Sequence, residues 1–275
     1  MALVLTRQAE TTIPIEVQGI IPERLSGCSD QQIAQLPIWH GREQVELGEL
    51  FQISGAMDDS MTLVWEGDLR PVHWIGSGMT CGKIQIESAA GRHIGSQMTG
   101  GEIFVNGDVS DFLGVEMTGG QIRVSGNAGD LVGGNYPGSK LGINRGSILI
   151  AGDAGKGVGQ SMRRGTIAIG GNAGELTGWN MLAGTILVFG SSGSNAGAGM
   201  KRGTIVLGSC QIKNLLPTFR RGGCYPIPIL NMMSRWLTQQ NFDFEPEVLE
   251  SRYQQFDGDL LCGGRGEVFV RDETP

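Results

Sequence analysis

Met98-Thr-Gly-Gly-Glu-Ile-Phe-Val-Asn-Gly107 and Met181-Leu-Ala-Gly-Thr-Ile-Leu-Val-Phe-Gly190 are two copies of one pattern. Each carries a methionine, then a glycine three positions on, then apolar residues two and four positions past that glycine. With Gly101 as an anchor, equivalent glycines stand at Gly82, Gly120, Gly146, Gly165, Gly184 and Gly203. The intervals between successive anchors are 19, 19, 26, 19, 19 and 19 residues, so the one exception is a single repeat enlarged by a seven-residue insertion. A fixed period of this size marks a repeat architecture.

The columns of the repeat say what each position does. Two residues past the anchor stand Ile84, Ile103, Ile122, Ile148, Ile167, Ile186 and Ile205, and two further on stand Ile86, Val105, Val124, Ile150, Ile169, Val188 and Leu207. Variable residues such as Lys83, Gln85, Glu102, Gln121 and Arg123 separate them. Apolar residues at every second position make a strand with one buried face. Three residues before the anchor, Met79, Met98, Met117, Ile143, Met162, Met181 and Met200 form a second inward column. A third runs through Ile94, Leu113, Val132, Val158, Thr177 and Ala196, each followed at once by glycine. Those glycines, with Gly126 and Gly129, Gly152 and Gly155, and Gly171 and Gly174, mark corners that need positive φ or a close backbone approach.

Nineteen residues are too few for a βαβ unit, which takes roughly 30. They suit two short strands and two corners, stacked so that each strand pairs with its copy about 4.8 Å above and below. The expected fold is all-β: a right-handed single-stranded parallel β-helix of 19-residue rungs with small mixed α/β terminal caps. Parallel crossovers are overwhelmingly right-handed, which sets the hand. The expected division is an N-terminal cap over residues 1–60, the β-helix over 61–209 and a C-terminal helical cap segment over 210–275. Met61 to Asp68 reads as an early, degraded rung, and Gly48 to Ser54 as another. Ser29 with Gln32 predicts a capping box opening a short helix. Ile229, Met232, Met233, Trp236 and Leu237 are spaced for one helix face, a second helical stretch is expected over Val248 to Phe256, and Gly266 to Val270 reads as a last strand. Both terminal segments are expected to cover the open ends of the stack, where unpaired edges invite aggregation.

The chain has 46 glycines in 275 residues, an excess explained by the corners, since no Gly-X-Y period runs through it. A formal net charge of −7 opposes a nucleic-acid partner held by bulk positive charge. The first residues lack a basic region leading into a long apolar one, and no apolar run approaches the ~20 residues of a membrane span. Cys28, Cys81, Cys210, Cys224 and Cys262 are odd in number and form no CxxC. These features predict a cytoplasmic protein with neither disulfides nor a membrane association.

No catalytic constellation emerges. Gly155-Lys-Gly-Val-Gly159 resembles a dinucleotide fingerprint, but it recurs with each repeat and has no helix behind it. Asp108, Asp130 and Asp153 are not expected to align into the aspartate ladder of a calcium-binding β-roll, whose period is about nine residues. His40, His73 and His93 are scattered, no serine or cysteine has a histidine partner in the pattern, and Glu102, Glu116 and Glu175 are not paired for acid–base work. No catalytic residue and no metal site are therefore assigned.

Two features remain as candidate contacts. The insertion Asn135-Tyr-Pro-Gly-Ser-Lys-Leu141 projects at one corner, with Asn135, Tyr136, Pro137 and Lys140 as its candidate contacts to other subunits. Immediately before the anchors stand Arg145, Arg163, Arg164, Lys201 and Arg202, a basic stripe on an acidic chain and a candidate contact for an anionic ligand or partner.

The Met-x-x-Gly-x-Ile rungs with their GxxGxxxG corners resemble the GXGXG domain shared by the C-terminal part of the glutamate synthase large subunit and the C subunit of formylmethanofuran dehydrogenase. The flanks favour the second: Ile38-Trp-His-Gly41, Leu47-Gly-Glu-Leu-Phe51, the insertion with Asn144-Arg-Gly146, and Leu215-Leu-Pro-Thr-Phe-Arg220 are similar to that subunit as it occurs in bacterial C1 metabolism. The resemblance covers nearly the whole chain. It implies a structural C subunit in a hetero-oligomer with a formyltransferase subunit, an amidohydrolase-like metal-hydrolase subunit and a dehydrogenase-B-like subunit. Such a complex passes a formyl group from a tetrahydromethanopterin carrier to a methanofuran-type carrier and hydrolyses it to formate. The carriers and metals belong to the partners, and no cofactor is expected on this chain. The alternatives it leaves are the C subunit of a tungsten or molybdenum formylmethanofuran dehydrogenase, and a glutamate-synthase-type spacer domain.

Overall fold

The computed structural model describes residues 2–8, 10–209, 214–245 and 247–272. The N-terminal segment carries β1 (Leu3–Arg7), β2 (Ile15–Glu16), α1 (Pro22–Leu25), α2 (Asp30–Ala34), β3 (Pro37–His40), β4 (Glu43–Glu46), α3 (Leu47–Leu50) and β5 (Phe51–Ser54). The repeats contribute β6 (Thr62–Glu66), β7 (Val72–His73), β8 (Lys83–Ile86), β9 (Glu102–Val105), β10 (Gln121–Val124), β11 (Ser147–Ile150), β12 (Thr166–Ile169), β13 (Thr185–Ser191) and β14 (Arg202–Ser209). Then follow β15 (Arg220–Tyr225), α4 (Pro228–Gln239), α5 (Glu247–Glu250), β16 (Tyr253–Gly258) and β17 (Arg265–Arg271).

The repeat strands β6 and β8 to β14 pair in parallel, each with the next, and the register steps by one repeat. Leu63 lies beside Ile84, Ile84 beside Ile103, and Ile122 beside Ile148 across the insertion. A second parallel ladder of single bridges joins Leu69, Ala90, Val109, Ala128, Ala154, Ala173 and Ser192. Every residue of the Ile84-to-Ile205 and Met79-to-Met200 columns is fully buried in one continuous core. At roughly 1.5–3 kcal/mol per buried aliphatic side chain, these columns dominate the stability. The observed architecture is all-β, with a 13-stranded, largely parallel sheet, a second four-stranded sheet and few helices.

The corner glycines serve two separate physical needs. Gly95 has φ +63°, and a Cβ there would stand 2.5 Å from Ile122 Cδ1 in the core. Gly126 instead sits where a neighbouring side chain passes, since its Cβ would stand 2.3 Å from Asp108 Oδ1. That carboxylate belongs to a ladder, which corrects the expected absence of aligned aspartates. Asp108 Oδ1 accepts the amide of Asn127 at 2.7 Å, Asn127 Oδ1 that of Asp153 at 2.8 Å, Asp153 Oδ1 that of Asn172 at 2.6 Å, and Asn172 Oδ1 that of Ser191 at 2.9 Å. Asp108 and Asp153 share this column, while Asp130 stands in a shorter one between Asp111 and Lys156. Alternation with asparagine keeps like charges in the longer column from meeting on adjacent repeats. The side-chain oxygens of both columns act as acceptors for backbone amides.

At the N-terminal end β1 extends the sheet, parallel to β6 and antiparallel to β5. Gly48 to Ser54 is therefore no rung: it spans α3 and an antiparallel edge strand. The predicted capping box is present, with Gln32 N–H donating to Ser29 Oγ and Ser29 N–H donating to Gln32 Oε1. At the other end β17 pairs in parallel with β14, then β16 and β15 follow antiparallel. Tyr253 to Phe256, expected as helix, is strand.

Helix α4 forms over the expected stretch, but its buried residues are Leu230, Ser234 and Leu237, while Ile229 and Met232 of the expected face are exposed, and it does not lie where expected. Leu230 and Leu237 pack with Leu149, Ala168, Leu187 and Val206, the residues of β11 to β14 that alternate with the inner columns. The helix thus covers the outer face of the sheet. Strand β11 is buried at every position, whereas β8 alternates exposed and buried. Leu215, Phe219 and Phe256, by contrast, pack against the inner core.

Candidate functional site

The basic stripe forms where the chain enters each repeat strand. Arg145, Arg163, Arg164, Lys201 and Arg202 are all exposed. The register adds a sixth cation that the spacing concealed: Arg202 lies beside Arg265 across the β14–β17 ladder, and Arg265 is exposed as well. Among the described residues none of the six has a salt bridge. Elsewhere cations are neutralised one repeat away: Lys83 pairs with Glu102 at 3.6 Å, Arg92 with Asp111 at 3.4 Å and Lys156 with Glu175 at 3.7 Å. Between Arg164 and Arg202 the row is interrupted by Leu182 and Ala183, in the repeat that carries Trp179, 38% exposed.

The insertion is anchored by aromatic stacking. Trp74, His93 and Phe112 occupy one column, all with positive φ, and their rings stack at 4.1 and 4.8 Å between centroids. Tyr136 covers this stack from the insertion, 5.6 Å from His93, and its hydroxyl meets His93 Nδ1 at 2.8 Å and Ser96 Oγ at 3.0 Å. Glu116 accepts the Tyr136 amide at 3.2 Å, and the buried Asn135 donates to the carbonyls of Tyr136 and Ser139. Of the four insertion candidates, Tyr136 holds the loop to the repeats and the buried Asn135 closes the loop on itself, while Pro137 and Lys140 are exposed. The signal for this arrangement was present in the sequence as aromatic rings 19 residues apart.

Burial, with the charges of His73 and Arg92, pushes the His93 imidazole down to about 4, and burial also lowers His73. His73 Nδ1 accepts the Arg92 amide at 2.9 Å, and His40 Nε2 lies 3.2 Å from Thr11 Oγ1. Among the described residues no three His, Cys, Asp or Glu side chains are grouped to hold a metal ion. Cys28, Cys81, Cys224 and Cys262 are unpaired, and Cys210 lies outside the described residues. Two adjoining clefts flank the end of α4, one of about 820 Å³ along Ser234, Thr238 and Asp243, the other of about 350 Å³ beside Arg123. Neither is lined by histidine or cysteine. No helix among the described residues is long and apolar enough to cross a membrane.

No family model matches the chain. It is 31% identical over 95 residues to the C subunit of the tungsten-containing formylmethanofuran dehydrogenase 2 of Methanothermobacter thermautotrophicus, covering 34% of this chain and 35% of that one. It is 37% identical over 95 residues to the C subunit of the molybdenum-containing formylmethanofuran dehydrogenase 1 of Methanosarcina barkeri, covering 34% of this chain and 32% of that one. The matched stretch thus spans about a third of the length of these curated relatives. A solved structure matches end to end: a chain of the formyltransferase/hydrolase complex (FhcABCD) from Methylorubrum extorquens, crystallised with methylofuran. The TM-score is 0.90 at 32% identity, covering 98% of this chain and 100% of that one. The chain belongs to the family of C subunits of formylmethanofuran dehydrogenases and formyltransferase/hydrolase complexes.

Proposed function

We propose that this chain is the non-catalytic, scaffolding C subunit of a cytoplasmic formyltransferase/hydrolase complex in C1 metabolism. The observation that carries this reading is the end-to-end likeness to a chain of such a complex, with a TM-score of 0.90 at 98% and 100% coverage. Its partners are a formyltransferase subunit, an amidohydrolase-like metal-hydrolase subunit and a dehydrogenase-B-like subunit. These convert formyl-tetrahydromethanopterin, through a formylated methanofuran-type carrier, to formate. Carriers and metals reside on the partners.

On this reading residues 61–209 wind as a right-handed single-stranded parallel β-helix, supported by two parallel ladders that advance one repeat at a time. Residues 1–60 and 210–275 cap it. A coil of this kind presents rigid, ruled faces, which suits a part that holds other subunits at fixed separation. The basic stripe and the exposed tip of the insertion are its contact surfaces. Affinity purification of the tagged chain from its host, followed by mass spectrometry and a formyltransfer assay, tests the proposal. Formyltransferase and hydrolase subunits and their activity are expected with the tagged chain. Recovery of dehydrogenase subunits carrying a tungsten or molybdenum centre would instead support the dehydrogenase version.

A further inference from the structure

We infer that the basic row is a protein-docking surface, seating an acidic face of another subunit around an apolar anchor at Trp179. This rests on the subunit reading above and adds where one contact lies and what chemistry it has. Three observations carry it. First, the row is left without acidic partners, where three other cations of the stack are neutralised one repeat on and a fourth, Arg123, is held by Gln121, Gln240 and the Phe104 ring. Lys83, Arg92 and Lys156 each have an acid one repeat on, whereas Arg145, Arg164, Arg202 and Arg265 have none among the described residues. Second, Arg202 and Arg265 stand directly beside each other in parallel register, with neighbouring repeats about 4.8 Å apart. Like charges so placed repel, and no acid among the described residues pairs with either of them.

Third, the composition is that of a protein interface. Five of the six cations are arginine, whose planar fork binds carboxylates in bidentate pairs. The gap in the row, at Leu182 and Ala183, falls in the repeat of exposed Trp179. Tryptophan and arginine are the residues that dominate interface energetics. A free anion would use the cations and leave the indole idle. The net charge of −7 makes the row a local exception, so it also fixes which side of this acidic chain an acidic partner can approach.

The test uses the full chain, tagged in its host, in four forms: wild type, Arg164→Glu with Arg202→Glu, Trp179→Ala, and a Lys83→Glu control on a neutralised column. The double reversal and Trp179→Ala are expected to lower the yield of co-purifying subunits by about tenfold or more. The control is expected to retain them, and each variant's melting temperature and circular dichroism are measured first, so that yields are compared only between folded chains. Equal yields from wild type and the double reversal would overturn the docking surface while leaving the subunit reading standing. A wild-type chain recovered alone would fail both. Should the double variant keep its subunits yet stop binding a fluorescent hexa-aspartate peptide that the wild-type complex binds, the row serves a free anionic ligand and the docking inference is wrong.

Discussion

Asp108 accepts the backbone amide of Asn127, its counterpart one repeat further on, at 2.7 Å. The bond is possible because the residue just before Asn127 is Gly126, whose missing Cβ would stand 2.3 Å from the same Oδ1 and 2.7 Å from the Gly107 carbonyl carbon. Side-chain ladder and glycine column are one device: each acid or amide caps the next repeat's amide only where no side chain blocks its path. Gly126→Ala is therefore expected to destabilise by about 1–3 kcal/mol through overpacking. Urea denaturation measures this, and an unchanged midpoint would mean that the glycine is not needed for close approach.

Ile167 is fully buried inside the isoleucine column, between Ile148 and Ile186. Ile167→Asp places a carboxylate there without a partner, and a loss of several kcal/mol, with little soluble protein, is expected. Ile167→Val removes one methylene and should cost about 0.5–1.5 kcal/mol. A soluble aspartate variant with the wild-type melting temperature would be incompatible with an inward-facing column.

The aromatic stack predicts a pH dependence. In the unfolded chain the His93 imidazole titrates near 6.5, and in the fold at about 4. Between those values the unfolded state binds the extra proton, so stability rises with pH, is complete above about 6.5, and is lost as pH falls towards 4. His73 shifts in the same direction. His93→Phe preserves a ring between Trp74 and Phe112, and its melting temperature should decline less than that of wild type over this window. Parallel declines would show that His93 is not held neutral by its surroundings.

Much of the fold was legible because the repeat is local: Ile84, Ile103 and Ile122 announce a strand column at a fixed 19-residue step. Three features were not. Arg265 follows its register partner Arg202 after the chain has left the stack to form β15, α4 and β16, so no period connects them. The seat of α4 depended on noticing that Leu149, Ala168, Leu187 and Val206 make the outer face of β11 to β14 apolar as well, where β8 to β10 carry Gln85, Phe104 and Arg123. Trp74, His93 and Phe112 do keep the period, but their meaning lies in Tyr136, which reaches them from the insertion. The candidate contact residues were thus partly visible as charge and as an interruption of the repeat, while their neighbours within the chain required the folded register.

Whether this chain works as one subunit among others is decided by native mass spectrometry of the tagged chain, released from its host by gentle low-salt lysis. A hetero-oligomer containing formyltransferase and hydrolase subunits in fixed proportion is the expected result. A species with the mass of the single chain, obtained under conditions that keep other host complexes intact, would contradict the subunit role.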